Sequence, residues 1–231
     1  MRRYSAYSYI IFLFLLAITA CTNFRSKKNF NEGTIEYSIQ LENSIKPSFN
    51  SSMIPNKIVV KFRNNNTSNK IEGLSGAVTL TYINNVEGKN CIVLVKLLNK
   101  KLFYEEPLIS GGLPSTYDGM PKIKIKKTNE VVDFMGYKCS KAIATFEDST
   151  NYSFDILYTN DIKIAHPNTN TPFDSIDGVM LKFSFKLYKH LLSISATNII
   201  QERIPMDNFT TPSDYVKVSR RTIEDFLSLL Q

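Results

Sequence analysis

Two pairs of adjacent carboxylates are, by residue type, the best candidates for acid–base chemistry. Glu105 is followed by Glu106, and Glu147 is followed by Asp148. General acid–base catalysis needs such groups on the same side of a substrate, with pKa values held apart by their surroundings. Neighbouring residues of a strand point to opposite faces of the sheet, and neighbouring residues of a turn are solvated. These pairs therefore predict no catalytic dyad.

The histidines and the short sequence motifs likewise predict no catalytic or metal-binding site. His166 and His190 have no Cys, Asp or Glu at a spacing typical of metal ligands. The sequence contains no nucleophile elbow, dinucleotide-binding fingerprint or P-loop. We therefore predict that the protein is not an enzyme, with no catalytic residue, no metal ion and no cofactor.

Cys91 and Cys139 could form a disulfide in an oxidising compartment. Alternation places Cys91 on one face with Val93, whereas Cys139 shares its face with Lys141 and Thr145. The two thiols would then point to opposite sides of the sheet. We favour a buried, unbridged Cys91, although the sequence leaves the disulfide open.

The third cysteine, Cys21, directly follows an apolar segment. Arg2 and Arg3 precede an apolar stretch from about residue 9 to residue 20, which is too short to span a bilayer and is typical of a secretory signal. Ile18-Thr19-Ala20-Cys21 resembles the bacterial lipobox, whose cysteine receives diacylglycerol. We predict a lipoprotein signal peptide at 1–20, lipid attachment at Cys21, a polar tether at 21–32 and one β-rich domain at 33–231.

This anchor predicts where the protein resides. Several acyl chains on one cysteine give stable membrane attachment, and no acidic cluster follows Cys21. We expect a membrane-anchored lipoprotein of the bacterial cell envelope, placed at the outer membrane and facing the periplasm; the sequence leaves the inner membrane open. The formal charge falls from +7 to +5 on cleavage, because the signal holds two arginines and no acidic residue. This location disfavours nucleic acid as a partner.

Lysine alternates with isoleucine in the densest basic run, "KIKIKK" at 122–127. Alternation places Ile123 and Ile125 on one face of a strand and the lysines on the other. Such a row is typical of a solvated or edge-protecting face. The alternative is attraction to anionic headgroups.

Alternation with a period of two dominates the remaining chain. It is clearest in "GTIEYSIQLEN", "NYSFDILYT" and "VMLKFSFKL", and less clean at 57–62, 77–83, 91–98, 138–147 and 190–199. "RNNNTSN" and "ISGGLPSTYDGMP" have the composition of turns. This pattern predicts at least eight half-buried antiparallel strands.

One helix is predicted, at the C-terminus. In "SRRTIEDFLSLLQ" apolar residues recur at a helical spacing, at Ile223, Phe226, Leu227 and Leu230. Ser219 and Thr222 are the candidate N-caps. The fold class is therefore mainly β: a single curved antiparallel sheet with few helices, including this one.

Two segments resemble a known group of envelope proteins. "DFMGYKCSKAIATFEDSTNYSFDILYTNDI" and "TPFDSIDGVMLKFSFKL" resemble the GLPGLI family and related lipoproteins of Gram-negative bacteria. Gly136-Tyr137-Lys138-Cys139 matches the family's first strand, whereas Ser175-Ile176-Asp177-Gly178 keeps only the last glycine of its turn. The resemblance implies a half-barrel similar to the lipoprotein carrier LolA, a curved sheet that accommodates acyl chains on its concave face.

The same resemblance suggests which side chains would face a ligand. They are the aromatic and aliphatic residues of three alternating strands: Tyr37, Ile39, Phe154, Tyr158, Phe183 and Phe185. An ordinary filled core would use the same residues, and only an unfilled cavity would make them a binding site.

Two functions therefore follow from the sequence. The first is a lipid-anchored protein that binds an acyl chain or another hydrophobic ligand in the concave face of a half-barrel. The alternative is a structural or interaction lipoprotein that docks other envelope proteins through an edge strand or through the loops at 111–121 and 167–178. A cavity favours the first, whereas a filled core with an exposed apolar patch favours the second.

Overall fold

The computed structural model describes residues 29–42, 55–108, 120–169, 171–187 and 190–228. Twelve strands of these residues form one sheet. They are β1 (Glu32–Glu42), β2 (Lys57–Arg63), β3 (Asn66–Gly73), β4 (Val78–Asn85), β5 (Asn90–Leu97), β6 (Lys100–Pro107), β7 (Ile123–Phe134), β8 (Tyr137–Phe146), β9 (Ser153–Thr159), β10 (Val179–Leu187), β11 (His190–Ile200) and β12 (Val216–Lys217). Helix α1 (Arg220–Ser228) follows the last strand. The protein is mainly β, with one large, curved, open sheet and a C-terminal helix, as the sequence predicts.

The sheet consists of two meanders that meet at β1. Its order is β12-β6-β5-β4-β3-β2-β1-β11-β10-β9-β8-β7. Neighbouring strands are antiparallel, except that β12 pairs with β6 in parallel. Tight turns set several hairpins: Asn64 and Asn65 between β2 and β3, and Met135 and Gly136 between β7 and β8, all have positive φ. Such two-residue turns match the twist of antiparallel strands.

Alternation correctly identifies the core faces of the strands. Ile35, Tyr37 and Ile39 of β1 are buried, as are Phe154 and Ile156 of β9. Among the strands listed above, β7 forms one edge of the sheet. Lys124 and Lys126 of this strand and Lys122, which directly precedes it, are exposed, whereas Ile123 and Ile125 pack against a core cluster. The lysine row therefore lies on the solvated side of an edge strand.

Two local predictions are wrong. "RNNNTSN" is not a loop, because Asn64 and Asn65 alone make the turn and β3 begins at Asn66. Cys139 does not share a solvated face, because it is fully buried in a core cluster with Tyr137 and Leu157. Cys91 is the less buried of the two free thiols.

The fold begins earlier than the predicted domain boundary at residue 33. Phe30 is 5% exposed, and its ring lies 5.7 Å from that of Phe62. The backbone N–H of Lys163 donates to the carbonyl of Phe30 over 2.8 Å. Strand β1 itself begins at Glu32. The last residues of the predicted tether are therefore part of the domain.

The C-terminal segment after β11 crosses one face of the sheet. Ile204 and Phe209 pack there against Ile83, Ile92 and Leu94 of β4 and β5. Helix α1 then packs on the opposite face.

On that opposite face, Ile223 of α1 contacts Tyr82, Val93, Val95 and Tyr104. The two sets of sheet residues alternate along β4 and β5, which places them on opposite sides. Ser219 caps the helix, since its Oγ accepts the backbone N–H of Thr222 over 3.1 Å.

Candidate functional site

A cavity of about 200 Å³ lies against the face of the sheet that carries α1. Strands β1 to β6, β10 and β11 contribute to its walls. The remaining wall is a segment between β9 and β10, residues 160–178, which we call the capping loop. Ile164, Pro167, Asn168, Thr169 and Thr171 of this loop line the cavity. An apolar cavity of ~150 Å³ in another protein holds benzene, so this space of about 200 Å³ is sufficient for a short alkyl segment or a small aromatic group.

Aliphatic and aromatic side chains form one side of the cavity. The residues from β1, β2, β10 and β11 are Tyr37, Ile58, Val60, Phe183, Phe185 and Ile194. Two pairs of them are aligned across neighbouring strands, Tyr37 with Ile58 and Phe183 with Ile194, which places the members of each pair on one face. The Tyr37 hydroxyl donates to the carbonyl of Met180 over 3.0 Å. Its polar atom is thus paired, which leaves the ring as apolar surface. Burial raises the pKa of Tyr37 well above its usual range, which keeps the phenol neutral.

Polar side chains form the other side. Thr67, Asn84, Cys91 and Glu106 lie directly opposite one another on β3, β4, β5 and β6, and all four line the cavity. We call this set the polar row. Asn69 lies two residues beyond Thr67 on the same face and also lines the cavity. The concave face therefore changes from apolar to polar along the sheet.

One carboxylate and one guanidinium determine the electrostatics of the polar row. The Arg220 Nη1 of α1 donates to both carboxylate oxygens of Glu106 over 3.4 Å. Its Nε donates to Glu224 over 2.6 Å, and this hydrogen bond is the main reason that the pKa of Arg220 is raised. Burial and, secondly, the charge of Glu106 raise the pKa of the Cys91 thiol to about 11. Cys91 is therefore protonated at neutral pH and a poor nucleophile.

The capping loop is fixed by a buried amide. Asn168 donates from Nδ2 to the carbonyls of Ile176 and Gly178, over 2.7 and 2.9 Å. Phe173 of the same loop packs edge-on against Phe183, with ring centroids 5.5 Å apart. Asn168 thus fixes the internal conformation of the loop, whereas Phe173 packs the loop against β10.

The structure brings three of the six sequence-predicted ligand-lining residues to the cavity. Tyr37, Phe183 and Phe185 line it. Ile39 lies in the core cluster that contains Tyr37. Phe154 and Tyr158 lie in a second cluster and are not among the residues that line the cavity. The curvature of the sheet therefore separates side chains that simple alternation groups together.

Sequence reasoning missed the polar row and the capping loop. The asparagines lie next to a segment interpreted as a turn, and Glu106 was interpreted only as half of a solvated pair. A signal did exist in β6, where Leu102, Tyr104 and Glu106 alternate with residues of the other face. This period of two, extended through "KKLFYEEP", would have placed Glu106 beside Tyr104.

Three further predictions concern metal binding, membrane crossing and lipid attachment. No group of three or more His, Cys, Asp or Glu side chains is arranged there to hold a metal ion. No helix in those ranges is long and apolar enough to cross a bilayer. The predicted lipid attachment residue, Cys21, and the signal peptide lie outside the described residues.

Comparisons with known proteins give a distant structural likeness. No family model matches the chain, and no curated protein matches it. A similar solved structure is the beta-barrel-like protein of the domain of unknown function DUF1849 from Brucella abortus. It has 7% sequence identity, covers 76% of this chain and 99% of that chain, and has a TM-score of 0.40.

Proposed function

We propose that the protein is a lipid-anchored envelope protein that binds an acyl chain or another hydrophobic ligand in its concave face. The observation that carries this proposal is the cavity itself, whose apolar side is built by Tyr37, Ile58, Val60, Phe183 and Phe185. A packed core has few voids larger than a water molecule, so an unfilled space of about 200 Å³ favours a binding site over an ordinary core.

The anchor and the compartment belong to the same proposal. The lipobox-like residues before Cys21 support a periplasmic lipoprotein, placed at the outer membrane. The predicted resemblance to GLPGLI-type and LolA-like proteins agrees with it. In this proposal the partners are the membrane, through acylated Cys21, and an apolar ligand in the cavity.

Filling the cavity tests the binding proposal. The sample is the mature chain, residues 22–231, exported behind a signal peptide without a lipid-accepting cysteine. In titrations with a neutral naphthalene fluorophore we expect saturable binding, and Val60→Phe should reduce the affinity at least tenfold, because the larger side chain occupies the space. Val59→Phe is the matched control on the opposite face of β2. Equal binding by wild type and Val60→Phe would refute this site.

Labelling tests the anchor. Cells that express the full chain are grown with labelled palmitate, and we expect label on the wild type and none on Cys21→Ser. Wild-type chain without label, or equal label on both chains, would exclude lipid attachment at Cys21.

One observation favours the alternative function, docking to another envelope protein. Strand β7 is twelve residues long, and no other described strand pairs with its outer edge. Val131 on this strand is 63% exposed. An open edge can accept a strand from a partner, although its lysines oppose such pairing. Crosslinking from a photoreactive residue at position 131 would identify a protein that docks there.

A further inference from the structure

The polar row suggests the chemistry of the ligand's head group, an inference that rests on the proposed binding function. Thr67, Asn84, Cys91 and Glu106 form a continuous line across four strands. This line borders the same cavity as the apolar side chains of β1, β2 and β10. A ligand that fills both sides must itself be amphipathic, with an apolar tail and a polar head.

Two side-chain amides in the cavity are available to such a head group. Within the described part of the chain, Asn69 and Asn84 have no hydrogen-bond partner for their side chains, and both line the cavity. Each amide offers two donors and one acceptor. Half-buried polar groups of this kind need water or a ligand to satisfy them. Together they suit a head group that both donates and accepts hydrogen bonds, such as a hydroxyl or an amide.

The charge of the site further limits which of these head groups it can bind. Glu106 is the one charged residue among those that line the described cavity. Its cationic neighbour, Arg220, is shared with Glu224, so the three side chains together carry one negative charge. A carboxylate or phosphate head would therefore meet an excess of negative charge, which is weakly screened in a partly buried site.

We propose that the ligand is an amphiphile with an uncharged, hydrogen-bonding head group, held at the polar row by Asn84 and Asn69, and that Glu106 causes anionic amphiphiles of the same chain length to be rejected. The tail lies against Tyr37 and Phe183. The selection is made by the carboxylate of Glu106, whereas the affinity for the neutral head is supplied by the two amides.

Monooctanoylglycerol and octanoate are the probes that test this proposal, because they share a tail and differ in the charge of the head. Titration calorimetry at pH 7.5, with the mature chain 22–231 and both probes below their micellar concentrations, should give monooctanoylglycerol at least a tenfold lower Kd. Glu106→Gln should strengthen octanoate binding at least fivefold and leave monooctanoylglycerol within twofold. Asn84→Leu, which keeps the size of the side chain, should weaken monooctanoylglycerol at least fivefold.

Glu105→Gln is the matched control, because Glu105 is the neighbour on β6 that pairs with Lys217 on the other face. It should change neither affinity. Thermal melts of each variant separate a lost contact from a lost fold.

The outcomes separate this inference from the proposed function. Octanoate binding as tight as monooctanoylglycerol, or equal effects of Glu106→Gln on both probes, would overturn head-group selection and leave an apolar site intact. Binding of the naphthalene fluorophore without binding of monooctanoylglycerol would also overturn head-group selection and leave the apolar site intact. Failure of both probes and of the fluorophore would overturn the binding function as well.

Discussion

At the scale of single residues, many of the described charges form ion pairs at the surface, and one carboxylate, Glu106, faces the cavity. Lys57 pairs with Glu36 and Lys138 with Asp133, and such exposed pairs each contribute little to stability. Glu106 differs because its side chain faces a partly enclosed space, with Cys91 beside it on β5. The face of β6 on which a carboxylate lies therefore decides whether it borders the cavity.

The ion pair between Asp148 and Lys186 predicts a pH dependence of stability. Hydrogen bonds from Lys186 and Thr150 lower the pKa of Asp148 to about 2. Since this lies below the ordinary value of 3.8, folding favours the ionised form. The stabilisation is present above about pH 4 and is lost as the pH falls through 2. Asp148→Asn should therefore lower the Tm at pH 6, and the difference from wild type should shrink towards pH 2.

Asp174→Asn, at an exposed position of the capping loop, is the control for this measurement. Its melting curve should follow the wild type at every pH. A Tm difference for Asp148→Asn that stays constant from pH 6 to pH 2 would contradict the role given to this pair.

At the scale of elements, the capping loop sets access to the cavity. Its described residues, 160–169 and 171–178, form no strand apart from a single bridge from Ile162 to Phe30. Its position depends on contacts along its length: the hydrogen bonds that the backbone N–H groups of Lys163 and Ala165 donate to Phe30 and Asn65, the aromatic contact of Phe173 and the two internal hydrogen bonds of Asn168. A loop held this way covers the ligand without closing the sheet into a barrel.

Removal of the Asn168 amide should destabilise the capping loop. Asn168→Ala leaves the carbonyls of Ile176 and Gly178 without their donor, which should lower the free energy of unfolding by about 1–3 kcal/mol. We also expect faster dissociation of the naphthalene fluorophore in stopped-flow experiments. Asn129→Ala, at an exposed position of β7, should change neither quantity. Unchanged stability and dissociation in Asn168→Ala would show that the loop is held by other contacts.

The elements differ in how far the sequence predicts them. Strands such as β1 and β9 were predictable because each has one apolar face and one polar face. Strand β6 was not, since charged pairs at both of its ends, Lys100-Lys101 and Glu105-Glu106, resemble turns. The capping loop and the C-terminal segment have no periodicity at all, because single side chains such as Phe173 and Phe209 hold them. The apolar side of the cavity was therefore predictable in part, and its polar side was not.

At the scale of the whole molecule, the C-terminal segment connects the two faces of the sheet. The N–H of Ile204 donates to Glu32 over 2.6 Å, and Arg63 donates to the carbonyl of Ile204 over 2.9 Å. The segment then runs along β6 as β12 and ends in α1, which brings Arg220 to Glu106. The electrostatics of the cavity thus depend on packing that occurs on the far side of the sheet.

Phe209 is the main apolar anchor of this segment, since it is fully buried against β4 and β5. Phe209→Ala should lower the free energy of unfolding by about 3–5 kcal/mol, as is typical of large buried aromatic residues. Urea denaturation measures this change. Val216→Ala, at a position that is 61% exposed, should stay within about 0.5 kcal/mol of wild type. A comparably small effect of Phe209→Ala would mean that the segment does not support the sheet.

Native mass spectrometry of the mature chain 22–231, purified from a bacterial periplasm without detergent, tests the central claim most directly. We predict added masses that vanish on organic extraction, that identify as lipids, and that are absent from Val60→Phe but present in Val59→Phe. A bare protein mass for the wild type, or the same added masses on Val60→Phe, would contradict binding of a hydrophobic ligand in the cavity.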